Sequence, residues 1–110
     1  MPGISIHVVD VSRGVVGAGM QVELERGGKR IAGGRTSAKG LLELNERVPP
    51  GRYEAVFHVA DWYRAQRVAL PEVPFLDVVR YAFGIDDPEQ HYHLPFKCTP
   101  WGYSCFRGGA

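Results

Sequence analysis

The sequence predicts an all-β protein, an antiparallel β-sandwich of seven or eight strands with one short helix. Two segments, 20–25 and 53–59, alternate apolar and polar residues, which is typical of strands with one buried face. Turn signals rich in glycine and proline recur about every 8 to 12 residues, a spacing typical of antiparallel sandwiches. At 110 residues the chain has the usual size of one domain, so we expect a single domain over residues 1–110.

Five strands are predicted in the first half. A β-branched run opens the chain, paired glycines at 27–28 and 33–34 interrupt the extended segments, and Val48-Pro49-Pro50-Gly51 forms a turn. The predicted strands are 4–11, 20–25, 29–32, 41–44 and 53–59.

The second half begins with the single predicted helix, Ala60 to Val68. It must end before Leu70-Pro71, because a residue that precedes proline avoids helical geometry. A strand over 75–83 follows. Two extended runs then flank Thr99-Pro100, a pair that cannot continue a strand and that suits a tight turn, so the chain should end in a β-hairpin.

The hairpin register predicts which side chains share a face. With Thr99-Pro100 as the loop, Cys98 lies opposite Trp101 and His93 opposite Phe106. Side chains alternate along strands, so one face should collect His91, His93, Pro95, Ser104, Phe106 and Gly108.

The two cysteines, Cys98 and Cys105, should be reduced thiols. In this register they share a face but lie about four residues apart along the ladder, roughly 13 Å at strand rise, which is too far for a disulfide. Their number and spacing also match no zinc or thiol redox motif.

Composition excludes several functions. A net charge of +1 without a basic stripe argues against nucleic acid and anionic membranes as partners. No apolar run approaches the roughly 20 residues of a membrane span, and the N-terminus lacks a signal-peptide pattern, so we expect a cytoplasmic protein. No cofactor motif is present, and Asp10 and Asp86-Asp87 lack the spacing of metal ligands, so they fit strand-end and turn positions better.

Two separated motifs carry a family resemblance. Near the start, Ile6-His7-Val8-Val9-Asp10 is followed by Arg13-Gly14, and the C-terminal third contains Asp87-Pro88-Glu89-Gln90-His91-Tyr92-His93-Leu94-Pro95 and ends in Phe106-Arg107-Gly108-Gly109. These runs resemble the transthyretin-like 5-hydroxyisourate hydrolases, over essentially the whole chain. The resemblance implies a transthyretin-like sandwich that pairs edge strands into dimers, with two dimers forming a homotetramer around a channel.

The resemblance also implies which residues act. His7 and His93 fall where those hydrolases place catalytic histidines, and imidazole can activate water or protonate a leaving nitrogen. His91 shares their face without a catalytic counterpart in the family, and His58 is expected to be structural. Which of His7 and His93 is the base stays open.

The expected substrate-binding residues are Leu41, Phe106, Arg107 and Gly109, and three of them depart from the family pattern. Leu41 stands where the family has an arginine, Phe106 replaces a tyrosine and Gly109 a serine, whereas Arg107 matches. An isobutyl group cannot supply the paired donors of a guanidinium. Arg35, Lys39 or Arg107 could take over its task.

Three functions follow as alternatives. The departures favour a family hydrolase whose two histidines act on a small heterocycle other than 5-hydroxyisourate, because each lost hydrogen-bonding partner costs about 1 to 3 kcal/mol. The second is a 5-hydroxyisourate hydrolase of purine breakdown. The third is a binding protein that holds a hydrophobic molecule without chemistry.

Overall fold

A computed structural model describes residues 2–44 and 47–109 of the chain. This part contains nine strands, one more than the upper end of the predicted range, because the two residues Val15–Val16 pair with the first strand. The elements are β1 Gly3–Asp10, β2 Val15–Val16, β3 Gln21–Arg26, β4 Lys29–Arg35, β5 Leu41–Leu44, β6 Gly51–His58, α1 Val59–Ala65, β7 Val78–Ile85, β8 His91–Thr99 and β9 Gly102–Cys105.

The strands form two sheets. The first has the order β2-β1-β8-β9, with β5 also paired to β1, and the second has the order β4-β3-β6-β7. Neighbouring strands are antiparallel except β1 and β8, which run parallel with Ile4 opposite Tyr92 and Asp10 opposite Cys98. The predicted sandwich class is confirmed, and it contains this one parallel pair.

The core lies between the two sheets and follows the predicted alternation. Along β1 the buried apolar side chains are Ile4, Ile6 and Val8, and Val22 and Leu24 face them from β3. The rings of Phe57 and Phe96 stack with centroids 3.8 Å apart and so join the two layers. The odd-numbered side chains of β1 and β8 therefore project outward from the first sheet.

The helix is shorter than predicted and ends at Ala65. Arg67 adopts a positive φ of 61°, a left-handed conformation that no helix continues through, so the break comes before Leu70-Pro71. Trp62 and Tyr63 are buried, and the Trp62 indole donates to the carbonyl of Ala18 at 2.7 Å. These contacts hold the helix against the sandwich.

Strand β7 begins three residues later than predicted. Phe75 lies outside the sheet, 74% exposed, with its ring 6.3 Å from that of Trp101. Its apolar character made the segment resemble a longer strand, although its side chain does not enter the core.

The hairpin of β8 and β9 is confirmed, but the predicted register is wrong by two residues. Thr99 lies opposite Gly102, because the Thr99 hydroxyl accepts hydrogen bonds from the backbone N–H groups of Trp101 and Gly102 and so places the turn at Pro100 and Trp101. His93 consequently faces Gly108 and not Phe106. A shift of two keeps every side chain on its predicted face.

The shift also changes the spacing of the cysteines. Cys105 pairs with Phe96, which places it two residues from Cys98 along the ladder and not four. Both thiols are free, as expected. Burial raises the pKa of each to about 11, so both remain protonated near neutrality.

A buried carboxylate closes the end of β1. Asp10 is fully buried and accepts hydrogen bonds from the Ser12 backbone at 3.0 Å, the Arg13 guanidinium at 2.6 Å and the Tyr63 hydroxyl at 2.8 Å. Burial alone would raise the pKa of Asp10, but the hydrogen bonds from Ser12, Arg13 and Tyr63 outweigh it and lower the pKa. Asp10 is thus an ionised structural anchor that ties the first strand to the helix.

Candidate functional site

The outward face of the first sheet brings together residues from the two ends of the chain. In the parallel pair, Ser5 lies opposite His93 and His7 opposite Pro95. On the other edge of β1, Leu41 of β5 lies opposite His7. Since opposite residues project to the same side of a sheet, His7, His93 and Leu41 form one continuous surface.

Ser5 lies at the centre of the histidines on this face. Its hydroxyl oxygen is 2.8 Å from Nε2 of His91 and 2.7 Å from Nδ1 of His93, and the residue is 9% exposed. Ser5 is not among the site residues predicted from the sequence. The available signal was its position two residues before His7, which places both side chains on the same face of a strand.

The environment keeps His93 neutral. Burial lowers the pKa of His93 below the ordinary 6.5, and the proximity of His7 and then of His91 lowers it further. Near pH 7 the ring therefore carries one N–H and one free lone pair. A neutral imidazole of this kind can accept a proton from water.

Gly108 allows the terminal segment to lie directly against the His93 ring. Its backbone N–H donates to the His93 carbonyl at 2.7 Å. A Cβ at this position would lie 2.8 Å from Cγ of Pro95 and 3.0 Å from Cδ2 of His93, closer than side-chain atoms pack. Because Gly108 has no side chain, its backbone can cover the Cδ2 edge of the His93 ring.

The expected substrate-binding residues are distributed around this face. Leu41 is half-buried beside His7, and Phe106 is 45% exposed with the Lys97 ammonium 5.7 Å from its ring centroid. Gly109 is exposed, and a Cβ added there would have nothing within 4 Å.

Arg107 is engaged away from the outward face. Its guanidinium lies 4.1 Å from the ring centroid of buried Tyr92 and donates to the Gln90 side chain at 2.9 Å and to the His91 carbonyl at 3.3 Å. Arg35 belongs to the second sheet, where it donates to the Gly19 carbonyl at 3.4 Å. Neither guanidinium contacts an imidazole of the histidine face.

His58 lies on the second sheet, where its Nε2 is 2.8 Å from a carboxylate oxygen of Glu23. Within residues 2–44 and 47–109, no three side chains of the metal-ligating types cluster closely enough to hold a metal ion. In the same ranges, no helix has the length and apolar character needed to cross a membrane.

Fold and histidine face together define a transthyretin-like β-sandwich with imidazoles on the open side of one sheet. The chain belongs to the HIUase/Transthyretin family, whose model matches residues 4–108. The resemblance drawn from the two sequence motifs is therefore confirmed.

Individual relatives agree with this assignment. The chain is 42% identical to the 5-hydroxyisourate hydrolase of Deinococcus radiodurans, over 97% of this chain and 96% of that protein. It superimposes on the structure of Klebsiella pneumoniae 5-hydroxyisourate hydrolase with a TM-score of 0.86 and 30% identity, covering 99% of this chain and 100% of that one.

Sea bream transthyretin in complex with thyroxine matches with a TM-score of 0.79 at 22% identity, covering 97% of each chain. At that identity the likeness shows the shared fold alone.

Proposed function

We propose that this chain hydrolyses 5-hydroxyisourate, with His7 and His93 as its acid–base pair. The observation that carries the proposal is the placement of these two imidazoles as diagonal neighbours on one sheet face, with His93 kept neutral. The substrate is taken from relatives named 5-hydroxyisourate hydrolase at 42% and 39% identity. The alternative of a different heterocycle finds no support among these relatives, and the hydroxyisourate alternative is the better fit. A cytoplasmic location is part of this proposal.

The chemistry needs one base and one acid. We assign the base to His93, because its lowered pKa leaves a lone pair free at neutral pH. It takes a proton from water as the oxygen bonds to a ring carbonyl carbon. The carbon–nitrogen bond then breaks, and the departing nitrogen takes a proton from His7. The products together contain the atoms of substrate and water, and a proton passed from His93 to His7 through solvent restores both rings.

The walls around the pair are more apolar than the sequence resemblance implies for the family. Leu41 stands directly beside His7, and Phe106 and Gly109 contribute no hydroxyl. We assign Leu41 and Phe106 to the faces of the substrate ring, and Gly109 to a position near its rim. In this proposal Arg107 acts from a distance, by fixing the backbone of His91 and the segment that holds Gly108.

We further propose that the chain forms a homotetramer, a dimer of dimers. The histidine face is open in the single chain, and catalysis needs a cover that excludes bulk water while it retains the reacting water molecule. Strands β7 and β9 form sheet edges where a second copy can pair, and Tyr103 and Phe106 expose apolar surface on the β9 side. Light scattering at micromolar concentration should give four times the 12.2 kDa protomer mass. A monomer there would contradict the assembly and the covered site together.

The substrate assignment is tested with freshly generated 5-hydroxyisourate and wild-type protein. We expect enzymatic turnover, of the order of 1 to 1000 per second if the apolar walls are tolerated. The Leu41→Arg variant should then raise kcat/KM, since Leu41 is not packed in the core and an arginine there would add donors beside His7. Leu42→Arg, which alters the adjacent core-facing position, serves as a folding-sensitive contrast. Wild-type turnover indistinguishable from the spontaneous rate would reject the substrate, and the two other candidate functions would then be tested next.

A further inference from the structure

The Ser5 hydroxyl contacts two ring nitrogens but has only one proton to donate. It lies 2.8 Å from Nε2 of His91 and 2.7 Å from Nδ1 of His93. A hydroxyl donates one hydrogen bond and can accept two. If Ser5 donates to one ring, the other ring must donate to Ser5. The three side chains are thus linked so that the tautomer of one histidine constrains the other.

We propose that Ser5 and His91 are positioning residues that hold His93 in the tautomer with its proton on Nδ1. Hydrogen bonds then run from His93 Nδ1–H to the Ser5 oxygen and from the Ser5 hydroxyl to Nε2 of His91. This leaves Nε2 of His93 with its lone pair free. The inference rests on the proposed function, in which that lone pair takes the proton from water.

The contact between Ser5 and Nδ1 fixes which way the His93 ring is turned. Gly108 lies beside the Cδ2 edge of the ring, and a flip about the Cβ–Cγ bond would exchange Cδ2 with Nδ1. The flipped ring would present a carbon to Ser5 and lose the hydrogen bond. The ring orientation is therefore fixed, and only the position of the proton remains to be set.

The donor and acceptor roles in these two hydrogen bonds follow from what His93 must do. Were Ser5 to donate to Nδ1, the neutral ring would carry its proton on Nε2 and could not act as a base. An imidazole in water also prefers that unproductive tautomer, so an acceptor at Nδ1 is needed to reverse the preference. His91 supplies the reason that Ser5 acts as this acceptor, because it offers the Ser5 proton another partner.

The same two hydrogen bonds stabilise His93 once it is protonated. A positive charge on the ring strengthens the bond from Nδ1–H to Ser5, and the polarised hydroxyl in turn bonds more strongly to His91. The titratable groups that border this cluster come from several strands. The charged ones are Glu43 of β5 opposite Ser5, Lys97 of β8, and Arg107, which donates to the His91 carbonyl, and the neighbouring imidazole is that of His7 of β1.

Nitrogen NMR of the ligand-free protein tests the inference directly. At a pH where His93 is neutral, its signals, identified by their loss in His93→Asn, should show a protonated Nδ1 and a bare Nε2. Ser5→Ala removes the acceptor and should move the proton to Nε2, whereas Ser5→Thr keeps the hydroxyl and should preserve the wild-type tautomer. A wild-type proton on Nε2, or an unchanged tautomer in Ser5→Ala, would overturn the inference.

Removing His91 gives a second test of the inference. In His91→Phe the Ser5 hydroxyl loses its acceptor, so it should donate to Nδ1 of His93 and push the ring to the Nε2–H form. His58→Asn removes an imidazole from the other sheet and should leave the His93 tautomer unchanged. If His93 kept its proton on Nδ1 in His91→Phe, His91 would have no positioning role.

Kinetics separate this inference from the proposed function. Ser5→Ala should lower kcat roughly ten- to a hundredfold, part of what a positioned histidine contributes, with little change in KM and with recovery in Ser5→Thr. An inactive wild type whose His93 still carries its proton on Nδ1 would count against the substrate alone. An active wild type with the proton on Nε2 would count against the positioning role alone.

Discussion

Replacing either histidine of the pair should abolish most of the activity while the protein stays folded. We expect His7→Asn and His93→Asn each to lower kcat/KM about a hundred- to ten-thousandfold, the usual contribution of a positioned acid or base. The melting temperature should change little, because both rings lie on the outward face and are only half-buried. Rates on 5-hydroxyisourate and thermal melting are measured on the same preparations.

The pH profile adds an independent readout. Because the pKa of His93 lies below the ordinary 6.5, the acid-side loss of the wild-type rate should begin only below that value, as His93 gains a proton. His58→Asn is the matched control and should retain activity. Full activity in both pair variants would leave a ligand-binding role, and lost activity with an equally lowered melting temperature would indicate a structural one.

Removing the buried carboxylate of Asp10 should lower the free energy of unfolding far more than removing an exposed carboxylate does. Asp10→Ala leaves the buried Tyr63 hydroxyl and the exposed Arg13 guanidinium without their partner, and a lost hydrogen bond to a charged group typically costs about 1.5 to 3 kcal/mol. Urea unfolding at fixed protomer concentration measures this, since assembly contributes to apparent stability. Asp61→Ala, which removes an exposed carboxylate from the first turn of α1, should cost about 1 kcal/mol or less.

Acid should reproduce part of the Asp10 effect. Its pKa is lowered on folding, so its contribution is complete above the unfolded value near 3.8 and is lost as pH falls through the folded value. The wild type should therefore lose stability below about pH 4 more steeply than Asp10→Asn does. Parallel curves for the two proteins would show that Asp10 carries no net stabilisation.

Local patterns were enough to predict most of the fold. The alternation in 20–25 and 53–59 appears as β3 and β6, and the face shared by His91, His93 and Gly108 survives the register error. The register itself depended on the Thr99 hydroxyl, whose two hydrogen bonds no periodicity reveals. The end of the helix likewise depended on one left-handed residue, Arg67, which carries no sequence signature of that conformation.

Only part of the candidate site could be predicted from the sequence. His7 and His93 could be named from their motifs, but Ser5 lies in an ordinary β-branched run. It acquires importance only through the parallel pairing that places it opposite His93. Arg107 shows the reverse case, because its motif position suggested the pocket while its guanidinium lies on the ring of Tyr92. Side-chain partners from distant segments decide such roles.

The parallel pairing of β1 with β8 also orders events during synthesis. Ser5 and His93 are separated by 88 positions in a chain of 110 residues, so the first strand waits for the eighth to leave the ribosome. Contacts of such long range close slowly. Until then β1 can pair with β2 and β5 but has an uncovered edge on the β8 side, where another strand could add. The histidine face thus forms only after β8 has been synthesised, and a truncated chain that ends before His91 has no means of forming it.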